Sequence, residues 1–499
     1  MIKIALTVSI CFVTLLPGWA DVSLPSLFSD HMILQRDKHN YVWGWADAGE
    51  KVTVSFNRTT KSTSALDNGT WLVQLPPAPL GDPHTMTVQG NNTITISDVL
   101  MGDVWVCSGQ SNMGWPVSRS NDAETEIANA KYPKLRYFHV PLTVALTEQS
   151  DVAGQWVYTT PEVAANFSAV AYFFGRALHK DLDVPIGLIG TAWGGTAIES
   201  WMSQSATEIS TTFDELNQDW MPDIKAQGDT LAKYYDRSIS PRPERPEAKR
   251  GVGNAPNVPS FNYNAMLAPL WRYGIKGAIW YQGESNAGRA YQYRDLMKTM
   301  ITDWRAQFGQ GDFPFFIVQL ANYRAKVAEP GPSDWAELRE AQLMATELRN
   351  VGMATIIDIG KADDIHPTNK QDVGLRLAQS ALKIAYEQRV VPSGPTYKNH
   401  IARKGRVTLY FNNIGGGLTT PDGTPLTGFA VAGEDGKFYW AEAEIKGKRI
   451  VVSSDTVPAP IAVRYGWANN PDCNLYNEAG LPASPFRTDD WQLTTYNKK

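Results

Sequence analysis

The strongest constraint on the fold is an alternation that begins near residue 101. Short, continuously apolar runs recur at Val104–Cys107, Val184–Ile189, Gly277–Tyr281, Phe313–Leu320 and Met353–Ile359. Between or after them fall stretches of helical character: Asp122–Lys131, Ala164–Asp181, Tyr291–Phe308, Trp335–Arg349 and Asn369–Gln388. In the last of these, Val373, Leu377, Leu382 and Ala385 recur at helix-like spacings. A strand that is apolar at every position has both faces buried. Such strands alternating with helices form a parallel sheet covered on each side. The expected core is therefore α/β, and ligands of such sheets sit beyond the carboxyl ends of the strands.

The flanks read differently. The chain has 499 residues, enough for about three domains at roughly 150 residues each. In residues 21–100, Tyr41–Trp45, Lys51–Phe56, Thr70–Leu75 and Thr85–Val88 are short segments rich in β-branched or aromatic residues, separated by Asp/Asn/Gly turns. A small β-sandwich is expected there. From residue 396 the pattern is again β-like, at Arg406–Phe411, Ala430–Ala432, Phe438–Ala441, Arg449–Ser453 and Ile461–Tyr465. The expected layout is thus a β-rich unit (21–100), an α/β unit (101–395) and a second β-rich unit (396–499). Residues 203–262 interrupt the α/β pattern with Pro/Gly-rich sequence and are a candidate wall or lid for a site.

Composition narrows the function. Lys and Arg number 46 against 51 Asp and Glu, a net charge of −5, so the chain lacks the basic excess of a nucleic-acid binder. Aromatic residues reach 11%, including 17 Trp. Rings at that level serve either β-domain cores or sugar-stacking platforms. Lys3, the apolar stretch Ile4–Leu16 and Gly18-Trp19-Ala20 read as a cleavable secretory signal over residues 1–20. The mature protein is expected to start near Asp21 and to be secreted or periplasmic. No later run reaches the roughly 18 apolar residues of a membrane span. Loss of the leader removes Cys11 and leaves Cys107 and Cys473, too few to staple a chain of this size, so a large core must stabilise it. There is no CxxC or HExxH, and the seven His are scattered. No metal or other cofactor is expected.

The ends of the apolar runs carry the chemistry. The first ends Val104-Trp-Val-Cys-Ser-Gly-Gln-Ser-Asn-Met113, which displays Ser111 in a Gly-containing turn directly after a strand. That is where a nucleophile is presented beside a backbone N–H able to bind an oxyanion. The second ends in Trp193-Gly-Gly-Thr196, where paired glycines permit close approach of the backbone. The third ends Trp280-Tyr-Gln-Gly-Glu-Ser-Asn286, offering the Gln282 amide and the Glu284 carboxylate. The fifth leads to Lys361-Ala-Asp-Asp-Ile-His-Pro367, in which Asp363 and His366 stand at D-x-x-H spacing. A carboxylate so placed can hold the imidazole tautomer that a general base needs. Asp364 is one position closer and spacing alone is compatible with either. Each signal is weak by itself, but together they set a serine, two donor sites and an Asp–His pair after different strands of one sheet.

These segments resemble the SGNH (GDSL-like) hydrolases, and among them the sialate O-acetylesterase-like carbohydrate esterases. Gly109-Gln-Ser-Asn-Met113, Trp193-Gly-Gly-Thr196 with Ile198-Glu-Ser-Trp201, Trp280-Tyr-Gln-Gly-Glu-Ser285 and Asp364-Ile-His-Pro-Thr-Asn-Lys370 resemble that family's blocks. So do Tyr263-Asn-Ala-Met-Leu-Ala-Pro-Leu270 and, in the flanks, Asp30–Arg36 and Val463–Trp467. The resemblance implies a three-layer α/β/α core. It also implies Ser111 as nucleophile, His366 as base and an Asp just before the histidine as its partner, which the D-x-x-H spacing assigns to Asp363. It implies oxyanion donors at the Ser111 N–H, the Gly195 N–H and the Gln282 side chain, the last in place of the asparagine usual in the wider superfamily. Asn112, Trp115, Trp193 and Glu284, within or beside the blocks, are candidate substrate-binding residues. The expected activity is removal of acetyl groups from an acetylated carbohydrate through an acyl-enzyme. The rivals are a non-catalytic carbohydrate-binding protein and a lipid esterase or thioesterase of the same fold.

Overall fold

The computed structural model describes residues 21–209, 256–421 and 423–498, with a few single positions between 226 and 241. The expected leader and most of the 203–262 insertion lie outside the described residues. At the centre is a mostly parallel sheet built from β1 (Thr93–Gly109), β2 (Tyr132–His139), β3 (Trp156–Thr159), β4 (Ile186–Ala192), β5 (Gly277–Tyr281), β6 (Phe315–Val318) and β7 (Val351–Ala354). Their order across the sheet is β7-β6-β5-β1-β4-β2-β3, and β3 runs antiparallel to β2 at the edge. All five apolar runs form strands of this sheet, and β5, β6 and β7 are buried at every position.

Strands β2 and β3 carry no such run. Tyr132–His139 mixes the exposed Lys134 with Arg136, which is buried and donates to Asp98 and to the His31 carbonyl, so the strand is not continuously apolar. Register matters most at the other end of the strands. Gly109 of β1 lies beside Tyr281 of β5 and Ala192 of β4. Three strands therefore finish at one level, and the turns that follow them meet.

Helices α1 (Ser111–Gly114), α2 (Ala169–Leu182), α3 (Ala290–Phe308), α4 (Asp334–Met344) and α5 (Lys370–Ile384) complete the core. α2 packs on α5 and α3 on α4, giving the layers on either side of the sheet. Helices α2, α4 and α5 start at side-chain caps. Ser168 Oγ accepts from the Ala171 N–H, Ser333 Oγ from Ala336 and Asn369 Oδ1 from Asp372. The last of these fixes the start of α5 just after His366.

The N-terminal β region does not stand apart. Residues 93–99 of β1 pair with His84–Gln89, Leu100–Gly102 pair with Ile33–Gln35, and the rest of the same strand enters the central sheet. One hydrophobic core runs from Val22 to Leu382. By contrast, the C-terminal region has a core of its own, including Val407, Leu409, Phe429, Ile450, Val463 and Phe486, between two four-stranded antiparallel sheets. It is clasped to the α/β unit by Arg339, fully buried on α4, which donates to the carbonyls of Leu320, Ala321, Ala468 and Asn469. Cys107 and Cys473 are not joined in a disulfide. Among the described residues no helix is long and apolar enough to cross a membrane.

Candidate active site

The site forms where β1, β4 and β5 end. Gly109 has φ +144°, and a Cβ on it would stand 2.1 Å from the Tyr281 carbonyl oxygen, so the chain turns there only without a side chain. The Gln110 N–H donates to Tyr281 O at 3.0 Å, which ties the turn to β5. Ser111 then opens α1 and remains partly exposed. Its Oγ is 2.9 Å from His366 Nε2. The other ring nitrogen, Nδ1, faces Asp364 Oδ1 at 3.4 Å, and the same oxygen accepts the His366 backbone N–H at 2.8 Å.

The orienting carboxylate in this arrangement is Asp364 rather than Asp363. Asp363 is exposed, and among the described residues no hydrogen bond or ion pair joins it to His366. The turn bonding Asp364 Oδ1 to the N–H two residues later brings that side chain back over the imidazole, a short-range geometry that D-x-x-H spacing does not capture. Burial pushes the His366 imidazole below its ordinary value. Asp364 pulls it up, while Lys370 and Arg119 add to the downward push.

Gly194 and Gly195 approach from the end of β4. A Cβ on Gly194 would lie 3.1 Å from Ser111 Cβ, so the glycine permits the close contact, and Gly195 has φ +75° beside open space. Among the described residues the N–H groups of Ser111 and Gly195 donate to no acceptor. The former is free because the first N–H groups of a helix have no intrahelical partner.

Five other expectations are corrected by the packing. Gln282 is fully buried, and its Nε2 already donates to Thr196 O at 3.1 Å and Asn286 Oδ1 at 2.7 Å, while its Oε1 accepts from Tyr293. Its amide is committed to bracing the Thr196 turn and is not free to receive an oxyanion. Asn112 is 1% exposed and donates from Nδ2 to Glu284 Oε1 and Ile365 O, so it joins elements instead of facing a ligand. Glu284 meets Asn112 through Oε1, and its Oε2 is buried without a hydrogen-bond partner. Burial raises its carboxyl above the usual range.

Trp115 is buried and lies flat on His366, with Arg119 packed on the same indole. Trp193 is buried as well, its backbone N–H donating to Gly109 O. Trp105, Trp156, Trp201, Trp280 and Trp304 are core residues. Most of the tryptophan load thus packs the fold. Among the described residues no cluster of His, Cys, Asp and Glu is arranged to hold a metal ion.

A serine hydroxyl at hydrogen-bond distance from an imidazole whose far nitrogen faces a carboxylate, at the end of a parallel sheet, is the constellation of a serine hydrolase. The matching family model is "Carbohydrate esterase, sialic acid-specific acetylesterase", over residues 101–227 and 259–383. Mouse (Mus musculus) sialate O-acetylesterase is 32% identical, covering 92% of this chain and 93% of its own. The human (Homo sapiens) sialate O-acetylesterase is 30% identical over 94% of each chain. A crystal structure of a carbohydrate acetylesterase from Xanthomonas citri superposes with a TM-score of 0.83 at 39% identity, covering 94% of this chain and 100% of that one. The chain belongs to the carbohydrate esterase family of sialic acid-specific acetylesterases, and it is a carboxylic ester hydrolase.

Proposed function

We propose that the protein is an exported carbohydrate O-acetylesterase that deacetylates sugar hydroxyls through an acetyl-enzyme on Ser111. The observation that carries this reading is the 2.9 Å contact between Ser111 Oγ and His366 Nε2, with Nδ1 turned to Asp364. His366 takes the Ser111 proton as Oγ attacks the acetyl carbonyl. The oxyanion then sits against the Ser111 and Gly195 N–H groups, where one such donor contributes about 2.7–4 kcal/mol to the transition state. His366 next protonates the departing sugar oxygen, and afterwards activates water to release acetate. Asp364 holds the Nδ1–H tautomer and offsets the imidazolium charge.

The substrate class is an acetylated glycan, either sialic acid, as the names of the mammalian relatives suggest, or a plant-type polysaccharide such as xyloglucan or xylan. Export rests on the leader-like residues 1–20. The test is acetate release by Ser111→Ala and His366→Ala on p-nitrophenyl acetate and on a panel of acetylated glycans. Loss of a nucleophile or base typically costs about 10⁶-fold in kcat. Near-normal turnover by either variant overturns the assignment. Poor use of octanoyl relative to acetyl esters separates this enzyme from a lipid esterase.

A further inference from the structure

One buried charged group beside the site has no part in that mechanism. Lys370, the first residue of α5, is fully buried. Its Nζ donates to Asn112 Oδ1 at 2.6 Å and lies 5.2 Å from the Tyr281 ring and 5.8 Å from Trp115. Asn112 directly follows Ser111 in the chain. Its Nδ2 donates to Glu284 Oε1 at 2.6 Å and to Ile365 O at 3.0 Å, and Ile365 directly precedes His366. One asparagine side chain therefore links the backbone next to the nucleophile with the backbone next to the base. Its carbonyl oxygen is held by a lysine and its amide by a carboxylate.

An amide left to itself could rotate by half a turn and present the wrong end to Ile365 O. A cationic donor on one side and a carboxylate acceptor on the other forbid that. The charged groups facing Lys370 are Glu284 and Asp364, and those facing His366 are Asp364, Lys370 and Arg119. Burial brings the Lys370 ammonium down to about 7, with the two carboxylates opposing that fall.

We propose that Lys370, acting through Asn112 and Glu284, is a positioning residue that sets the approach of His366 to Ser111 and whose positive charge disfavours the imidazolium in the resting enzyme. The inference rests on the Ser111–His366 reading above.

The test uses the full-length protein with p-nitrophenyl acetate and three variants: Lys370→Met, Asn112→Ser and the double substitution. Each single change is expected to lower kcat by about 10²-fold, the scale of a misplacement of roughly 1 Å, with KM held within about threefold. The double variant should be no worse than the weaker single one, because both break one connection. Lys370→Met should also move the acid limb of the kcat/KM profile to higher pH, since a cation near the imidazole is gone. A purely structural role would leave that limb in place. Additive losses, an unmoved limb, or kcat within about threefold of the parent overturns the proposal. If Lys370→Met does not fold, the kcat of Asn112→Ser decides by the same threshold. Ser111→Ala run alongside separates the two readings: its activity would sink the site itself, whereas an inactive Ser111→Ala beside a normal Lys370→Met sinks only the role of Lys370.

Discussion

The indole of Trp115 lies against the imidazole of His366 with ring centroids 5.0 Å apart and planes 15° from parallel. The indole is itself fixed, because Trp115 Nε1 donates to Arg119 O at 2.8 Å and the Arg119 guanidinium packs 4.1 Å from the ring centre. A flat neighbour of this kind limits rotation of the imidazole and keeps Nε2 aimed at Ser111. Trp115→Leu is therefore expected to reduce kcat by about tenfold on p-nitrophenyl acetate and on acetylated glycans alike, with little change in KM. Steady-state kinetics on both substrates checks this. A rise in KM confined to the glycan would instead mark Trp115 as a sugar platform.

The two neighbouring carboxylates should behave unequally. Asp364 faces Nδ1 and caps the His366 N–H, whereas Asp363 points to solvent. Asp364→Asn is expected to lower kcat by about 10²–10⁴-fold, up to the loss seen when a triad aspartate becomes an amide. The lower end reflects a side chain that is 46% exposed and so is screened by water. Asp363→Asn should stay within about twofold. Equal losses in the two variants would contradict the geometry.

Strands buried on both faces leave a continuous apolar signature, which is why β1, β4, β5, β6 and β7 are legible in the sequence. β2 and β3 are not: β3 is the edge strand, and β2 beside it carries the exposed Lys134 and a buried Arg136 paired with Asp98. Ser111 and His366 could be found because a glycine turn after a strand and a histidine before a helix are positional signals. What sequence does not carry is the direction of a side chain. Gln282 and Asn112 stand at or just after the expected strand ends, yet each turns inward to a buried or backbone partner, and Trp115 lies against His366 instead of facing open space. The separation of the β-rich N-terminal region from the core was equally invisible in its limits. A 17-residue strand, Thr93–Gly109, crosses the expected boundary and shares its hydrophobic core with both sides.

The pH dependence follows from the charge state of His366. In the proposed mechanism only the neutral imidazole accepts the Ser111 proton. Burial foremost favours that neutral form, Lys370 and Arg119 add to it, and Asp364 opposes it, leaving the imidazole below its ordinary value of 6.5. As pH falls through this lowered value the base becomes protonated and kcat/KM drops. The midpoint of the acid limb should consequently lie below pH 6.5. A profile of kcat/KM against pH on a soluble acetyl ester measures it. A midpoint above 6.5 would show that Asp364 outweighs burial.

Two glycines at the site share a positive φ but differ in the room around them, and this separates backbone strain from steric exclusion. Gly195 has φ +75° with nothing within 4 Å of an added Cβ, so Gly195→Ala should pay only the left-handed penalty, about 1–2 kcal/mol of stability. Gly109 has φ +144°, and its added Cβ would fall 2.1 Å from Tyr281 O and 2.7 Å from Tyr281 C, backbone atoms of a central strand that cannot swing aside. Gly109→Ala must therefore force β1 and β5 apart at the point where Gln110 N–H reaches Tyr281 O. Loss of the folded protein, or a destabilisation beyond about 4 kcal/mol, is expected, in the range reserved for core disruption. Urea unfolding of the two variants beside the parent checks the contrast. Similar midpoints would mean that the strand ends are softer than their register implies.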